Sequence, residues 1–210
     1  DFIICCGYKG YLIKEYFINY FAHNSDIKVD LGTNKFEILK PIDEKWKITL
    51  IDTGLNTMTG GRLKRIFPLL NEDEPFCLTY GDGLSSHNIN DQIKFHNLHN
   101  RKATVLAVKP PGRFGAITMV NNQISNFNEK PSGDGNRVSG GYFILDPKVI
   151  DFIDDDKTAW EKKPMENLAK NRDIMAYNYD EFWYPLDTLR DKNYLENLWK
   201  NNKAPWKLWR

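Results

Sequence analysis

Phe76-Cys77-Leu78-Thr79-Tyr80-Gly81-Asp82-Gly83 is an apolar, strand-like run that delivers one carboxylate onto a turn flanked by glycines. At the carboxyl end of a strand in an α/β sheet, side chains point into the crevice where ligands bind. Glycine on either side lets a phosphate or sugar approach the backbone closely. A second acid, Asp187 in Trp183-Tyr184-Pro185-Leu186-Asp187-Thr188, stands at a similar junction between an apolar run and a helix. Mg²⁺ at sites that handle substrate phosphates takes one or two protein carboxylates, with water and phosphate oxygens completing the octahedron. Two strand-end acids are therefore enough for a metal-nucleotide site. Asp187 also has a plainer reading, because Thr188 and Asp191 are spaced as a helix-capping box and Asp187 would then only favour the positive end of that helix.

Gly-Asp-Gly occurs a second time, at 133–135, and the comparison is instructive. That copy lies among Lys130-Pro131-Ser132 and Asn136, all turn formers or polar residues, with no strand to aim its acid. It reads as a loop.

Outward from Asp82, the pattern alternates strands and helices. Residues 2–6 form a strand, followed by Gly7-Tyr8-Lys9-Gly10 and a helix in which Leu12, Ile13, Tyr16, Phe17, Tyr20 and Phe21 recur at helical spacing. Short strands are expected between 27 and 51, then a basic amphipathic helix from Arg62 to about Leu70 after Thr59-Gly60-Gly61. A helix follows over 89–100, a strand over 103–108, and two short strands joined by Asn121-Asn122, a hairpin signal. Further strands are expected at 142–145 and 174–179, with helices ending near 153, over 164–170 and over 189–200. Strands separated by helices predict an α/β fold, Rossmann-like, with a mostly parallel mixed sheet, helices on both faces and antiparallel insertions. A single domain over 1–210 is expected, closed by a helix and an aromatic tail at about 188–210.

Composition narrows the partners. The chain has 210 residues, with 29 Lys and Arg against 28 Asp and Glu and no long basic run, so no field argues for nucleic acid. No apolar stretch approaches the roughly 20 residues that span a membrane. Cys5, Cys6 and Cys77 lie in apolar runs, look buried and do not form a disulfide framework, which favours a cytoplasmic setting. A small molecule is the expected partner. Thr59-Gly60-Gly61-Arg62 could turn amides and a guanidinium toward an anion or nucleobase, with Lys64 and Arg65 close behind. Lys130 in Asn128-Glu129-Lys130-Pro131 could meet a sugar phosphate. The four histidines read as surface or satisfied groups, and Asp154-Asp155-Asp156 as an exposed helix end.

Taken together, Asp1 to Gly10, Asp52-Thr53-Gly54, Met58 to Arg65, Tyr80 to Gly83, Pro110-Pro111-Gly112-Arg113-Phe114-Gly115-Ala116, Glu129-Lys130-Pro131, Leu186 to Lys192 and Lys203 to Lys207 resemble the sugar-1-phosphate nucleotidyltransferases. The Thr-Gly-Gly-Arg and Pro-Pro-Gly-Arg-Phe-Gly runs match the cytidylyl branch. The resemblance implies Mg²⁺ on Asp82 and Asp187, with Lys130 also catalytic, and CTP and glucose 1-phosphate as substrates. It implies nucleotide contacts from Thr57, Thr59, Gly60, Gly61, Arg62 and Gly81, and places Glu129, Gly140 and Gly141 at the substrate. It further implies CDP-glucose as product, for deoxysugar and O-antigen lipopolysaccharide synthesis, and a homo-oligomer, often a hexamer. Use of dTTP or UTP, or a noncatalytic nucleotide-sugar-binding module, stands as the alternative. The family opens with a strand and a Gly-Gly-x-Gly-Thr-Arg loop with a nearby lysine, whereas this sequence starts at the family's second strand. The first βα unit is thus expected to be missing, and the 210 residues alone are expected to be inactive and poorly stable.

Overall fold

The computed structural model describes residues 1–40, 44–111, 116–120, 123–128 and 137–209; for 116–120 and 125–128 it describes the backbone only. Contacts divide the chain into two compact units, 1–70 with 150–166, and 71–149 with 167–210.

In the first unit, β1 (Phe2–Cys6) leads into α1 (Gly10–Ile18) and α2 (Tyr20–Asn24), so the periodic run expected as one helix breaks at Asn19. Asn19 adopts a non-helical cap conformation and its N–H closes on Glu15. β2 (Ile27–Asp30) and β3 (Lys35–Ile38) form an antiparallel pair, and β4 (Ile48–Asp52) runs parallel to β1 with Cys6 opposite Asp52. α3 (Thr59–Ile66) buries Leu63 and Ile66. Trp160 and Ile153, from the segment returning at 150–166, complete that unit's core.

The second unit is built on a four-stranded sheet. β5 (Phe76–Thr79) is followed by the three-residue β6 (Gly83–Ser85), α4 (Ile89–Leu98) and β7 (Ala103–Val108). β8 (Ala116–Val120) and β9 (Gln123–Asn128) pair antiparallel across the asparagine pair, which itself lies outside the described residues. Then come β10 (Val138–Leu145), α5 (Lys163–Lys170), whose first turn belongs to the first unit, β11 (Ile174–Tyr179), the three-residue β12 (Trp183–Pro185) and α6 (Leu189–Lys200). The sheet order is β11-β7-β10-β5. β11 and β7 are parallel and β10 is antiparallel to both its neighbours, so three of the four strands share one direction. This is the mixed α/β sheet expected from the alternation of elements.

Central β7 reads Ala-Thr-Val-Leu-Ala-Val because neighbours cover both its faces; Ala103, Leu106, Val108, Phe143 and Leu145 are all at most 2% exposed. The helix expected to end near 153 is instead a 3-10 turn over Pro147–Phe152, started by a proline that has no N–H to donate. Cys77 is exposed rather than buried, since β5 ends the sheet and its alternate side chains meet solvent. Trp206 and Trp209 pack within the chain, against Phe182 at 5.5 Å and Trp199 at 6.3 Å between ring centroids. Among the described residues no helix is long and apolar enough to cross a membrane.

Candidate active site

Asp82 and Asp187 are brought together by β6 and β12, two strands too short to show a period in the sequence. They pair antiparallel with Gly83 opposite Pro185, Leu84 opposite Tyr184 and Ser85 opposite Trp183. One step beyond the ladder, the Leu186 N–H donates to the Asp82 carbonyl at 2.7 Å. The two acids therefore stand at the same end of one two-stranded ribbon, Asp82 just before β6 and Asp187 two residues after β12, both exposed. Gly81 holds φ at +84°, which only glycine adopts without strain, and a Cβ there would meet open space. The approach to Asp82 is thus left clear on that side.

The capping box expected at Thr188 and Asp191 is formed. The Thr188 hydroxyl accepts from the Asp191 N–H at 3.2 Å and donates to Asp191 Oδ2 at 2.8 Å, and the same oxygen accepts from the Thr188 N–H at 3.0 Å. Thr188, not Asp187, is the N-cap. Asp187 precedes this cap, next to the positive end of α6, as its plainer reading expects.

Behind the acids lies a buried polar network that the sequence did not reveal. Gln92 donates through Nε2 to the Tyr142 carbonyl at 3.2 Å, which turns its Oε1 toward His87 Nε2 at 3.1 Å. An amide oxygen can only accept, so Nε2 carries the proton and Nδ1 accepts from the Ser85 hydroxyl at 2.9 Å. Burial lowers the His87 pKa, in keeping with this neutral form, while the Gln92 bond opposes the shift. The Tyr142 phenol donates to the Gly83 carbonyl at 2.6 Å. Its pKa is raised, first by burial and further by the nearby negative charge of Asp82. His96 and His99 share the Thr104 hydroxyl at 2.8 Å each, so these histidines are satisfied structural groups.

Gly140 and Gly141 sit in a bulge, where the register of β10 against β7 shifts between Ser139 and Phe143. A Cβ on Gly140 would meet Leu106 and Val108 at 3.1 Å, and one on Gly141, at φ +76°, would meet the Tyr80 ring at 3.1 Å. Glu129, Lys130, the second Gly-Asp-Gly and Gly112 to Gly115 lie outside the described residues.

In the first unit, the Thr59-Gly60-Gly61-Arg62 run starts α3, but much of its hydrogen-bonding capacity is turned toward its own chain. The N–H groups of Met58 and Gly61 donate to the Asp156 and Thr158 carbonyls at 2.8 and 3.2 Å. The Thr59 hydroxyl donates to Glu161 at 2.7 Å and accepts from the Trp160 N–H at 2.9 Å. Arg62 holds the Cys6 carbonyl at 3.1 Å and the Thr53 hydroxyl at 2.6 Å, tying α3 to the ends of β1 and β4. Lys64 donates to the Ile153 and Asp154 carbonyls and Arg65 pairs with Asp156. Lys64 and Arg65 thus fasten the 153–156 segment rather than await an anion. Asp154-Asp155-Asp156 is that fastened strap, not a helix end. Thr57 is buried, its hydroxyl within 2.8 Å of where a Gly54 Cβ would stand.

Residues 44–188 match the family model described as Nucleotidyl transferase. This chain belongs to that family. It is 53% identical over 209 residues to the glucose-1-phosphate cytidylyltransferase of Salmonella typhi, covering all of this chain and 81% of the relative. The protein of the same name from Salmonella typhimurium matches at the same identity and coverage. The crystal structure of HddC from Yersinia pseudotuberculosis superposes with a TM-score of 0.59 at 17% identity, over 91% of this chain and 75% of that one, and bears out the fold alone.

Among the described residues no group of three or more His, Cys, Asp or Glu is placed to share a metal ion. A hard divalent cation on Asp82 and Asp187 would complete its shell with water and substrate oxygens, a donor set that fits Mg²⁺.

Proposed function

We propose that the protein transfers the cytidylyl group of CTP to glucose 1-phosphate, giving CDP-glucose and pyrophosphate. The observation that carries this reading is the β6–β12 register, which sets two carboxylates at one ribbon end in a chain 53% identical along its length to a glucose-1-phosphate cytidylyltransferase. A phosphate oxygen of the sugar phosphate forms a bond to the α-phosphorus of CTP as the bond to the β,γ-diphosphate breaks, and no covalent enzyme intermediate is required.

Asp82 and Asp187 would hold Mg²⁺, which when bound offsets the repulsion between the two anionic substrates. Gly81 lets a ligand approach the backbone, and the β10 bulge at Gly140 and Gly141 offers small residues beside the sugar. Lys130 is assigned to the sugar phosphate, Glu129 to the sugar, and Thr57, Thr59, Gly60, Gly61 and Arg62 to the nucleotide side. For Arg62 this requires the side chain to share or exchange its present partners, since it bonds the Cys6 carbonyl, the Thr53 hydroxyl and, at 3.5 Å, the Leu55 carbonyl. A cytoplasmic homo-oligomer, a hexamer by family resemblance, completes the proposal and is checked by light scattering on the eluted protein.

The decisive experiment follows pyrophosphate release from CTP, UTP, dTTP and ATP, each with glucose 1-phosphate and Mg²⁺. The family's Gly-Gly-x-Gly-Thr-Arg loop is not among these 210 residues. The assay is therefore run on the chain alone and with that family segment fused ahead of Asp1. CTP is expected to give the highest kcat/KM, with UTP second. A preference for dTTP would overturn the cytidylyl assignment, and tight CDP-glucose binding without turnover in either form would leave a binding module.

A further inference from the structure

Each acid-bearing strand is tied by a side-chain hydrogen bond to the same short piece of β10. From β10, the Tyr142 phenol reaches the carbonyl of Gly83, the residue that follows Asp82, at 2.6 Å. From β12, the Trp183 indole Nε1 donates to the Gly140 carbonyl at 2.9 Å, and a Gly83 Cβ would lie 3.4 Å from that nitrogen. The bulge at Gly140–Gly141 turns this carbonyl out of register with β7, so it is available to the indole. Tyr142 is itself fixed at its main-chain oxygen by Gln92 and at its ring by the edge of His87, 4.8 Å away.

Two- and three-residue ladders hold little register of their own, and β6 and β12 share only three residue pairs. The register sets Leu186 opposite Asp82 and Asp187 one step beyond, so a one-residue slip would change the spacing of the two acids and reverse the faces of the ribbon. We propose that Tyr142 and Trp183 are positioning residues that fix the separation of Asp82 and Asp187 by anchoring both strands to the β10 bulge. This inference rests on the metal reading above. The two side chains touch neither metal nor substrate in this role; they act through the main chain of the ribbon that ends at the acids.

The test compares Tyr142→Phe and Trp183→Phe, each losing one donor while keeping an aromatic ring, with Tyr179→Phe. The Tyr179 phenol bonds the Ser86 hydroxyl at 2.7 Å, at the opposite end of β6 from Asp82, and so controls for loosening of the same ribbon. Mn²⁺ is titrated with and without CDP-glucose, the free ion read by its electron paramagnetic resonance signal, and thermal unfolding is recorded for every variant. Outer partners of metal ligands typically change affinity by about 10–100-fold, so Tyr142→Phe and Trp183→Phe are each expected to weaken Mn²⁺ binding about tenfold, Tyr179→Phe less than twofold, with similar losses in Tm for all three. Mn²⁺ bound equally by parent and both variants, or equally weakened by Tyr179→Phe, overturns the positioning role and leaves the metal site standing. A parent that binds no Mn²⁺ in either arm removes the metal reading and this inference with it.

Discussion

Replacing Gly61 by alanine separates two explanations of the Thr-Gly-Gly-Arg run, a glycine kept for a nucleotide and a glycine kept for the fold. A Cβ on Gly61 would lie 2.5 Å from Asp156 Cα, 2.6 Å from its carbonyl oxygen and 2.8 Å from its carbonyl carbon. Comfortable contacts between carbon atoms need about 3.5–4.0 Å, so helix and strap must part by roughly 1 Å. No flexible side chain can absorb that movement, because all three atoms are backbone. The bond from Met58 N to Asp156 O, 2.8 Å long, would stretch beyond hydrogen-bonding range, and that from Gly61 N to Thr158 O, 3.2 Å, would weaken with it. Overpacking costs about 1–3 kcal/mol and each lost hydrogen bond about 0.5–1.5 kcal/mol. The better helix propensity of alanine returns up to about 1 kcal/mol. A net loss near 2 kcal/mol follows, or about 4–8 °C in Tm for a chain of this size. Urea and thermal unfolding measure it, alongside CTP affinity by calorimetry. A Gly61→Ala protein that melts with or above its parent would refute the packing argument, and one that keeps its stability but loses CTP would assign the glycine to the nucleotide.

Other outcomes follow from the same geometry. Asp82→Asn and Asp187→Asn are each expected to weaken Mn²⁺ binding by at least about tenfold and to depress turnover sharply while leaving the melting curve in place; a folded Asp187→Asn protein with parental Mn²⁺ affinity would remove that residue from the metal. Thr188→Ala deletes the N-cap of α6 and is expected to cost about 1 kcal/mol in urea unfolding, and a loss below a few tenths would show the box to be idle. His87, His96 and His99 all have lowered pKa values, with burial the leading cause. Unfolding restores each to about 6.5, so below that pH the unfolded chain binds more protons and stability falls as pH drops toward the folded values, by at most about 1.4 kcal/mol per pH unit for each imidazole. Urea midpoints between pH 7.5 and 5.5 test this, and a flat profile would contradict it.

Long periodic segments were legible in the sequence because their pattern is local. The run Ala103–Val108 announces a strand covered on both faces, and Thr188 with Asp191 announces the start of α6. The candidate acids were singled out by the glycines around Asp82 and the apolar run before Asp187, and the structure sets both at one ribbon end. What joins them was not legible. Three residues carry no period, and whether Gly83–Ser85 pairs with Trp183–Pro185 is decided by partners about a hundred positions away. The same holds for α3, where the returning 153–160 segment meets Lys64, Arg65 and the backbone at Gly60 and Gly61, contacts that no local pattern shows. Cys77 shows the reverse error, since an apolar run suggests burial but an edge position exposes alternate residues.

These failures have a common physical origin. Local pattern records what one segment needs, while a site is made where several segments satisfy one another's main-chain groups. Asp82 and Asp187 sit at the end of a ribbon of three residue pairs, too short to hold much register of its own. Their placement is therefore delegated to donors elsewhere, the Tyr142 phenol and the Trp183 indole, each aimed at a carbonyl rather than at a ligand. A carbonyl target has no residue identity, so nothing in the sequence of Gly83 or Gly140 marks it as an anchor. It follows that these two aromatics carry part of the site's geometry although neither need touch what is bound there.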